Sequence, residues 1–205
     1  DELTPGEKQI MDAAIAAGED LLLASTGEPR RTVQELRADF ERACELVKRR
    51  ARRSGSVDGN GGQSSGGGVD GGAANVLRLW HGCGRVDPVV IMSDDYGFDP
   101  RLSNEGMWGR AAYFARDAKY SDRYAHVLST GQEDGDATRG RSVRQLFFVD
   151  VAVGRAESRN SGERINRPSP GFDSVTGWIG ATQVYMVYEV NRAYPTHLVT
   201  YECDA

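Results

Sequence analysis

The stretch that most constrains the fold runs from Val76 to Tyr124, because strand-like apolar runs alternate there with glycine-rich bends. It opens with the apolar run V-L-R-L-W, which predicts a buried strand, and this run stops at the polar pair His81-Gly82. A short second run, A-Y-F-A, follows some thirty residues later and predicts another strand. Polar residues that close a strand are typical of ligand sites in mixed folds, so the sequence predicts a site at these strand ends.

Three further side chains in this stretch have the chemistry of a ligand site. Tyr113 lies in the second strand-like run, and Ser121 and Tyr124 lie in a predicted helix over residues 116–126. Because Ser121 and Tyr124 are three residues apart, a helix places them on one face. Aromatic faces stack on a planar cationic ring, while hydroxyl groups and an imidazole bond a sugar and an amide. The types of side chain therefore suit a ligand that contains such a ring and a ribose.

Length and composition set broad limits on the chain. With 205 residues, of which 39% are hydrophobic and 27% are charged, it is long enough for one domain with a helical extension. Since no apolar run approaches the ~20 residues that cross a bilayer, we expect neither a membrane span nor a signal peptide. The formal charge of -5 argues weakly against a nucleic-acid-binding role but leaves it open.

The three cysteines are odd in number and lack the spacing of metal ligands. This usage is typical of a reducing compartment, so we expect an intracellular protein, in the cytoplasm or the nucleus, without a metal site.

Hydrophobic spacing and glycine content divide the chain into three predicted segments. Residues 1–53 are predicted to form a helical segment that packs on the core, with helices over 4–23 and 32–53. The basic tail of the second helix, 48–53, is either a nucleic-acid or nuclear-import patch or a set of cations that match the helix dipole. Residues 54–74 hold nine of the 25 glycines and predict a flexible loop. Residues 75–205 form the predicted core.

The core combines predicted strands with few helices. Besides the runs already described, strands are expected over 144–154, 184–189 and 197–201, and loops over 83–99, 131–140 and 158–170. Two leading helices before a strand-rich remainder indicate an α+β fold.

The motifs, taken together, resemble a known family. His-Gly at a strand end, the later Y-F-A, and a serine and a tyrosine at the eighth and eleventh positions after that tyrosine resemble the catalytic domain of the poly(ADP-ribose) polymerases, most of all its mono-ADP-ribosylating branch. The resemblance resumes in F-D-S-V-T-G, Q-V-Y-M-V-Y-E and A-Y-P-T-H-L-V-T-Y, and spans roughly Val76 to Glu202. It implies the ADP-ribosyltransferase fold: two packed, mostly antiparallel sheets with flanking helices, preceded here by the N-terminal helices.

The resemblance also implies a substrate and roles for the site residues. NAD+ would be the co-substrate, and another protein or the chain itself would accept ADP-ribose. His81 would bond the ribose of the adenosine half, and the Gly82 backbone and Ser121 would bond the nicotinamide amide. Tyr124 would stack on the nicotinamide ring and Tyr113 would close its other side. Residues 97–99 would belong to a loop that lies over the dinucleotide.

One position departs from the polymerising members of the family. These carry a glutamate one residue before the Y-x-V-Y motif, which corresponds to Val184 in this chain, and Glu189 is not expected to replace it. Valine neither accepts a hydrogen bond nor acts as a base, so a ribose hydroxyl would not be activated and one ADP-ribose unit would be transferred instead of a chain. A catalytically silent interaction module and an NAD+ glycohydrolase remain alternatives.

Overall fold

The computed structural model describes residues 33–54, 74–128 and 142–203. The predicted helix over 4–23, the predicted loop over 131–140 and most of the predicted loop over 54–74 lie outside these ranges. The helices are α1 (Val33–Ser54), α2 (Pro88–Ser93) and α3 (Ala118–Ser121), with 3-10 turns at Pro100–Leu102 and Asp122–Tyr124. The strands are β1 (Val76–His81), β2 (Glu105–Gly106), β3 (Gly109–Arg110), β4 (Ala112–Ala115), β5 (His126–Leu128), β6 (Ser142–Ala152), β7 (Ala156–Ser158), β8 (Ser174–Ile179), β9 (Thr182–Val187) and β10 (Ala193–Cys203).

Eight of the described strands form one sheet. Its order is β10-β6-β1-β4-β9-β8-β7, with β5 also paired to β6, and every pairing except β7 with β8 is antiparallel. The expectation of two separate sheets is therefore corrected, since hydrogen bonds join the two halves where Trp80 of β1 lies opposite Ala115 of β4. The join exists because β1 pairs with β6 along its length and also reaches β4 at its end. The pair β2-β3 is the remaining described sheet.

The two faces of β9 contribute to two hydrophobic clusters, as the alternation of a strand requires. Tyr185 and Val187 belong to a larger cluster that also includes buried residues of β1, β4 and β6 and is covered by Phe98 and α2. Val184 and Met186 belong to a smaller cluster with the buried side chain of Trp108. The site described below lies where both clusters approach the ends of β1 and β4.

Helix α1 begins and ends within one residue of its predicted limits and packs against β6 and β10. Val47 is 1% exposed, and the Phe40 ring lies 6.0 Å from that of Tyr194. Arg50 pairs with Glu189 at 3.2 Å and with the buried Asp173 at 3.4 Å. None of the described helices is long and apolar enough to cross a membrane.

Among the predictions that the structure overturns are those for two segments, 83–99 and 116–126. The predicted loop over 83–99 contains α2, because Asp87 caps a helix whose first residue is proline and accepts a hydrogen bond from Val89 N at 2.9 Å. The predicted helix over 116–126 is replaced by the shorter α3 and a 3-10 turn, because residues 126–128 pair with β6 instead.

Candidate functional site

A cavity of about 470 Å³ opens at the ends of β1 and β4, beside α3 and the 3-10 turn that follows it. It is within the size range of small-molecule sites. All six residues that the sequence assigned to the site line it: His81, Gly82, Tyr113, Ser121, Tyr124 and Val184. The structure thus brings together residues that span more than one hundred positions of the chain.

His81 is held in one orientation at the end of β1. Its Nδ1 lies 2.7 Å from the carbonyl oxygen of Tyr113, and its ring centroid lies 5.0 Å from that of Phe98 and 5.3 Å from that of Phe114. Because a carbonyl oxygen only accepts, Nδ1 must carry the proton, and in the neutral ring Nε2 is then an acceptor. Burial lowers the pKa of His81, against the smaller opposing effect of the Tyr113 carbonyl, so the neutral ring is favoured. The side chain offers a hydrogen-bond acceptor to a hydroxyl group.

Gly82 allows the loop after β1 to lie directly against α3. A Cβ at this position would come 2.7 Å from Ser121 O and closer still to Tyr124 O, which is too near for any side chain. Gly84 N donates to the same Tyr124 carbonyl at 2.7 Å, and His126 Nδ1 lies 3.0 Å from Gly84 O. The absence of a side chain at residue 82 therefore sets the distance between the two walls of the cavity.

The Tyr113 ring is fixed by its hydroxyl group. This group accepts a hydrogen bond from Trp108 N at 2.9 Å and donates one to Gly109 O at 2.7 Å. A Cβ on Gly106 would lie 2.6 Å from the Tyr113 hydroxyl, so that glycine also makes room for the ring. With its hydroxyl occupied, Tyr113 presents mainly its ring to the cavity.

Ser121 and Tyr124 reach the cavity on α3 and the following 3-10 turn. Ser121 is 3% exposed, whereas the Tyr124 ring is 52% exposed and lies 5.7 Å from that of Tyr120. The Ser121 hydroxyl donates no hydrogen bond to another described residue, so it can bond a ligand.

Asp122 anchors this segment to the sheet. It pairs with Arg144 of β6 at 3.0 Å and accepts a hydrogen bond from the Tyr201 hydroxyl of β10. The Tyr201 bond, followed by Arg144, lowers the pKa of the Asp122 carboxyl. Two strands of the sheet thus determine where the residues that follow α3 lie.

Val184 faces the cavity from β9 and is 1% exposed, opposite Ala115 in β4. Its side chain adds an apolar surface and no hydrogen-bonding atom. Glu189 lies beyond the end of β9, pairs with Arg50 and Arg192, and does not line the cavity.

The loop that the resemblance assigned to residues 97–99 also lines the cavity, and its internal bonds were not predicted. Asp99 is 7% exposed, caps the 3-10 turn through Arg101 N at 2.8 Å, and pairs with the Arg101 guanidinium at 2.6 Å. These bonds, led by that with the guanidinium, keep the pKa of Asp99 low. The Asp-Pro pair at 99–100 was the signal for this cap.

Tyr120 and Cys83 are among the cavity residues that were not assigned to the site from the sequence as binding groups. Tyr120 precedes Ser121, and its spacing of four from Tyr124 was the available signal. Cys83 follows Gly82, and burial raises the pKa of its thiol to about 11, so it is protonated near neutral pH. No group of three or more His, Cys, Asp or Glu residues that could hold a metal occurs in the described ranges.

Comparison with known proteins adds a sequence similarity. Over 123 residues, 60% of this chain, the sequence is 31% identical to a probable poly(ADP-ribose) polymerase of Dictyostelium discoideum. This similarity suggests a poly(ADP-ribose) polymerase-like family. The match covers 33% of that protein, so the chain spans about a third of its length. No protein-family model matches the chain.

Proposed function

We propose that this protein is an NAD+-dependent mono-ADP-ribosyltransferase that transfers one ADP-ribose unit to a protein acceptor, in an intracellular setting. The observation that carries the proposal is the single cavity lined by His81, Gly82, Tyr113, Ser121 and Tyr124. The similarity to a probable poly(ADP-ribose) polymerase supports the reaction class.

The side chains of the cavity fit the two ends of such a substrate. The acceptor atom Nε2 of His81 suits a ribose hydroxyl, and the buried Ser121 hydroxyl suits a carboxamide oxygen. The rings of Tyr113 and Tyr124 suit the two faces of a cationic pyridine ring. These groups would position the bond between nicotinamide and ribose within the cavity.

Cleavage of the bond between nicotinamide and ribose requires little proton transfer. Nicotinamide leaves as a neutral molecule, so the bond breaks without an acid, while positive charge spreads on the ribose. Fixed positioning and electrostatic stabilisation are therefore the main contributions of the protein. An acceptor that brings its own anion, such as an aspartate or a glutamate, can attack this ribose without a base from the enzyme.

Val184 supports transfer of a single unit. A chain grows only if a ribose hydroxyl of the first unit is activated, and Val184 has no atom that bonds a hydroxyl. The nearest carboxylate along the chain after it, Glu189, is held by two arginines away from the cavity.

Incubation with NAD+ labelled in its adenosine half tests the proposal. We expect label on protein and release of free nicotinamide from the wild type. In His81→Ala we expect at least a hundredfold less label, because the substrate loses an orienting contact within the site. Thermal melting of both proteins in the absence of NAD+ serves as the control for folding.

Other results of the same assay would contradict transfer. Free ADP-ribose without labelled protein would indicate a glycohydrolase. No nicotinamide release and no thermal shift with NAD+ would indicate a silent interaction module, and full labelling by His81→Ala would refute the site.

The variant Val184→Glu tests the basis for single-unit transfer. We expect it to form no chains, since its carboxylate would be buried among apolar side chains that favour the neutral acid. We also expect it to melt at a lower temperature than Val184→Gln, the uncharged control, above neutral pH. Gel analysis of the labelled product distinguishes one unit from a ladder, and a ladder would show that the rest of the site already permits elongation.

A further inference from the structure

Three exposed cations fall within eight residues of the chain, directly after Ala115, the residue opposite Val184: Arg116, Lys119 and Arg123. None of the three forms an ion pair with another described residue. We name them the basic patch. The same eight residues hold two acids, Asp117 and Asp122, so cations exceed acids by one in this segment of a chain whose formal net charge is -5.

The basic patch adjoins the cavity through backbone and ring contacts. Arg116 directly follows Ala115, the residue opposite Val184, and Arg116 N donates to Gln183 O at 3.0 Å. The Arg123 guanidinium carbon lies 5.9 Å from the ring centroid of Tyr120, which lines the cavity. The patch therefore flanks the cavity beside Val184 and Tyr120.

Folding does not account for the patch. Lys119 and Arg123 are four residues apart in a helical segment, an arrangement in which like charges repel each other. The adjacent acid, Asp117, stands at the start of α3 but makes no side-chain cap bond, and Asp122 is already paired with Arg144. The cations thus remain available to a partner.

We infer that the basic patch binds an acidic peptide segment of the acceptor protein, with several Asp or Glu residues, and presents one of its carboxylates to the cavity. This inference rests on the proposed function, since Val184 leaves the acceptor to supply its own anion. Nucleic acid fits less well, because three cations are fewer than the phosphate contacts of stable binders and the chain as a whole is acidic.

Binding of a fluorescent acidic peptide, measured by anisotropy without NAD+, tests the inference separately from catalysis. We expect the triple variant Arg116→Gln, Lys119→Gln, Arg123→Gln to bind this peptide about tenfold more weakly than wild type at low salt. The same peptide with every glutamate changed to glutamine should bind wild type no better than it binds the triple variant. The control variant Arg49→Gln, Arg52→Gln, Arg167→Gln removes equal charge elsewhere and should bind like wild type.

The outcomes separate the two proposals. Equal binding of the acidic peptide by wild type and the triple variant would overturn the patch, whatever the enzymatic result. A single-stranded oligonucleotide that binds more tightly than the peptide, and depends on the same three cations, would overturn the acidic-peptide assignment. If the protein binds the acidic peptide through the patch but releases no nicotinamide from NAD+, the assignment of the patch stands and the transferase proposal is refuted. For an active enzyme, the triple variant should raise KM for the acidic acceptor and leave KM for NAD+ unchanged.

Discussion

The imidazole of His81 acts in one protonation state and one tautomer. Its Nδ1 is committed to Tyr113 O at 2.7 Å, and burial lowers its pKa, so Nε2 is a free acceptor near neutral pH. Protonation would turn Nε2 into a donor, so it could no longer accept a hydrogen bond from a ribose hydroxyl, and it would place a charge in a buried position. The neutral form is therefore the one that favours NAD+.

This protonation state gives a pH prediction. Because the folded pKa of His81 lies below its ordinary value of 6.5, we expect NAD+ affinity to stay constant from about pH 8 to about pH 6.5 and to fall only at lower pH. The unfolded chain binds this proton more readily than the folded chain, so stability should decrease over the same acidic window. Calorimetric titration with NAD+ across pH measures the first effect. A loss of affinity centred above pH 6.5 would contradict a neutral, buried His81, and His81→Asn should lose this component of the pH dependence.

At the scale of elements, the limits of β1 and β4 were predicted from their apolar runs more accurately than the limits of the short helices. β1 and β4 match their predicted limits, since Asn75 and Gly82 bound Val76–His81 and Arg116 ends Ala112–Ala115. The helix over 116–126 was shortened because pairing of β5 with β6 is a long-range contact that no local pattern reports. For the same reason the sequence named the residues of the cavity but not the bonds from Asp122 to Arg144 and Tyr201.

Those bonds yield a prediction for α3. In Tyr201→Phe the hydrogen bond to Asp122 is lost, so the segment that carries Ser121 and Tyr124 should become less fixed. We expect about 1 kcal/mol less stability and a several-fold weaker affinity for NAD+. Chemical denaturation and NAD+ titration of this variant measure both, with Tyr194→Phe as a control on the same strand. Unchanged NAD+ affinity in a destabilised Tyr201→Phe would show that the anchor does not act on the site.

At the scale of the molecule, α1 and the cavity lie in different regions of the fold. α1 packs on β6 and β10, and none of its residues lines the cavity. Its contact with the core is held by Val47, which is 1% exposed, and by Arg50, which pairs with Asp173 and Glu189. The helix thus supports the back of the sheet rather than access to the site.

A substitution in the buried face of α1 should therefore lower the stability of the fold without changing the affinity for NAD+. Val47→Ala leaves a cavity between α1 and the sheet and is expected to cost about 1–3 kcal/mol of unfolding free energy. NAD+ affinity, measured well below the melting temperature, should stay within twofold of wild type. A large loss of affinity in this variant would show that α1 acts on the site. The exposed Leu46→Ala, on the same helix, should change neither quantity appreciably.

The pairing of Trp80 with Ala115 joins the halves of the sheet at one residue pair, and the next residue of β1 is His81. Its imidazole forms a hydrogen bond with the Tyr113 carbonyl oxygen of the neighbouring strand. A side chain thus continues the connection between the two strands where their backbone hydrogen bonds end. One half of the sheet supplies the imidazole and the other supplies Tyr113 and Val184. The side chain that would bind the substrate thus also connects the two halves of the sheet. Its loss would destabilise this connection as well as weaken substrate binding.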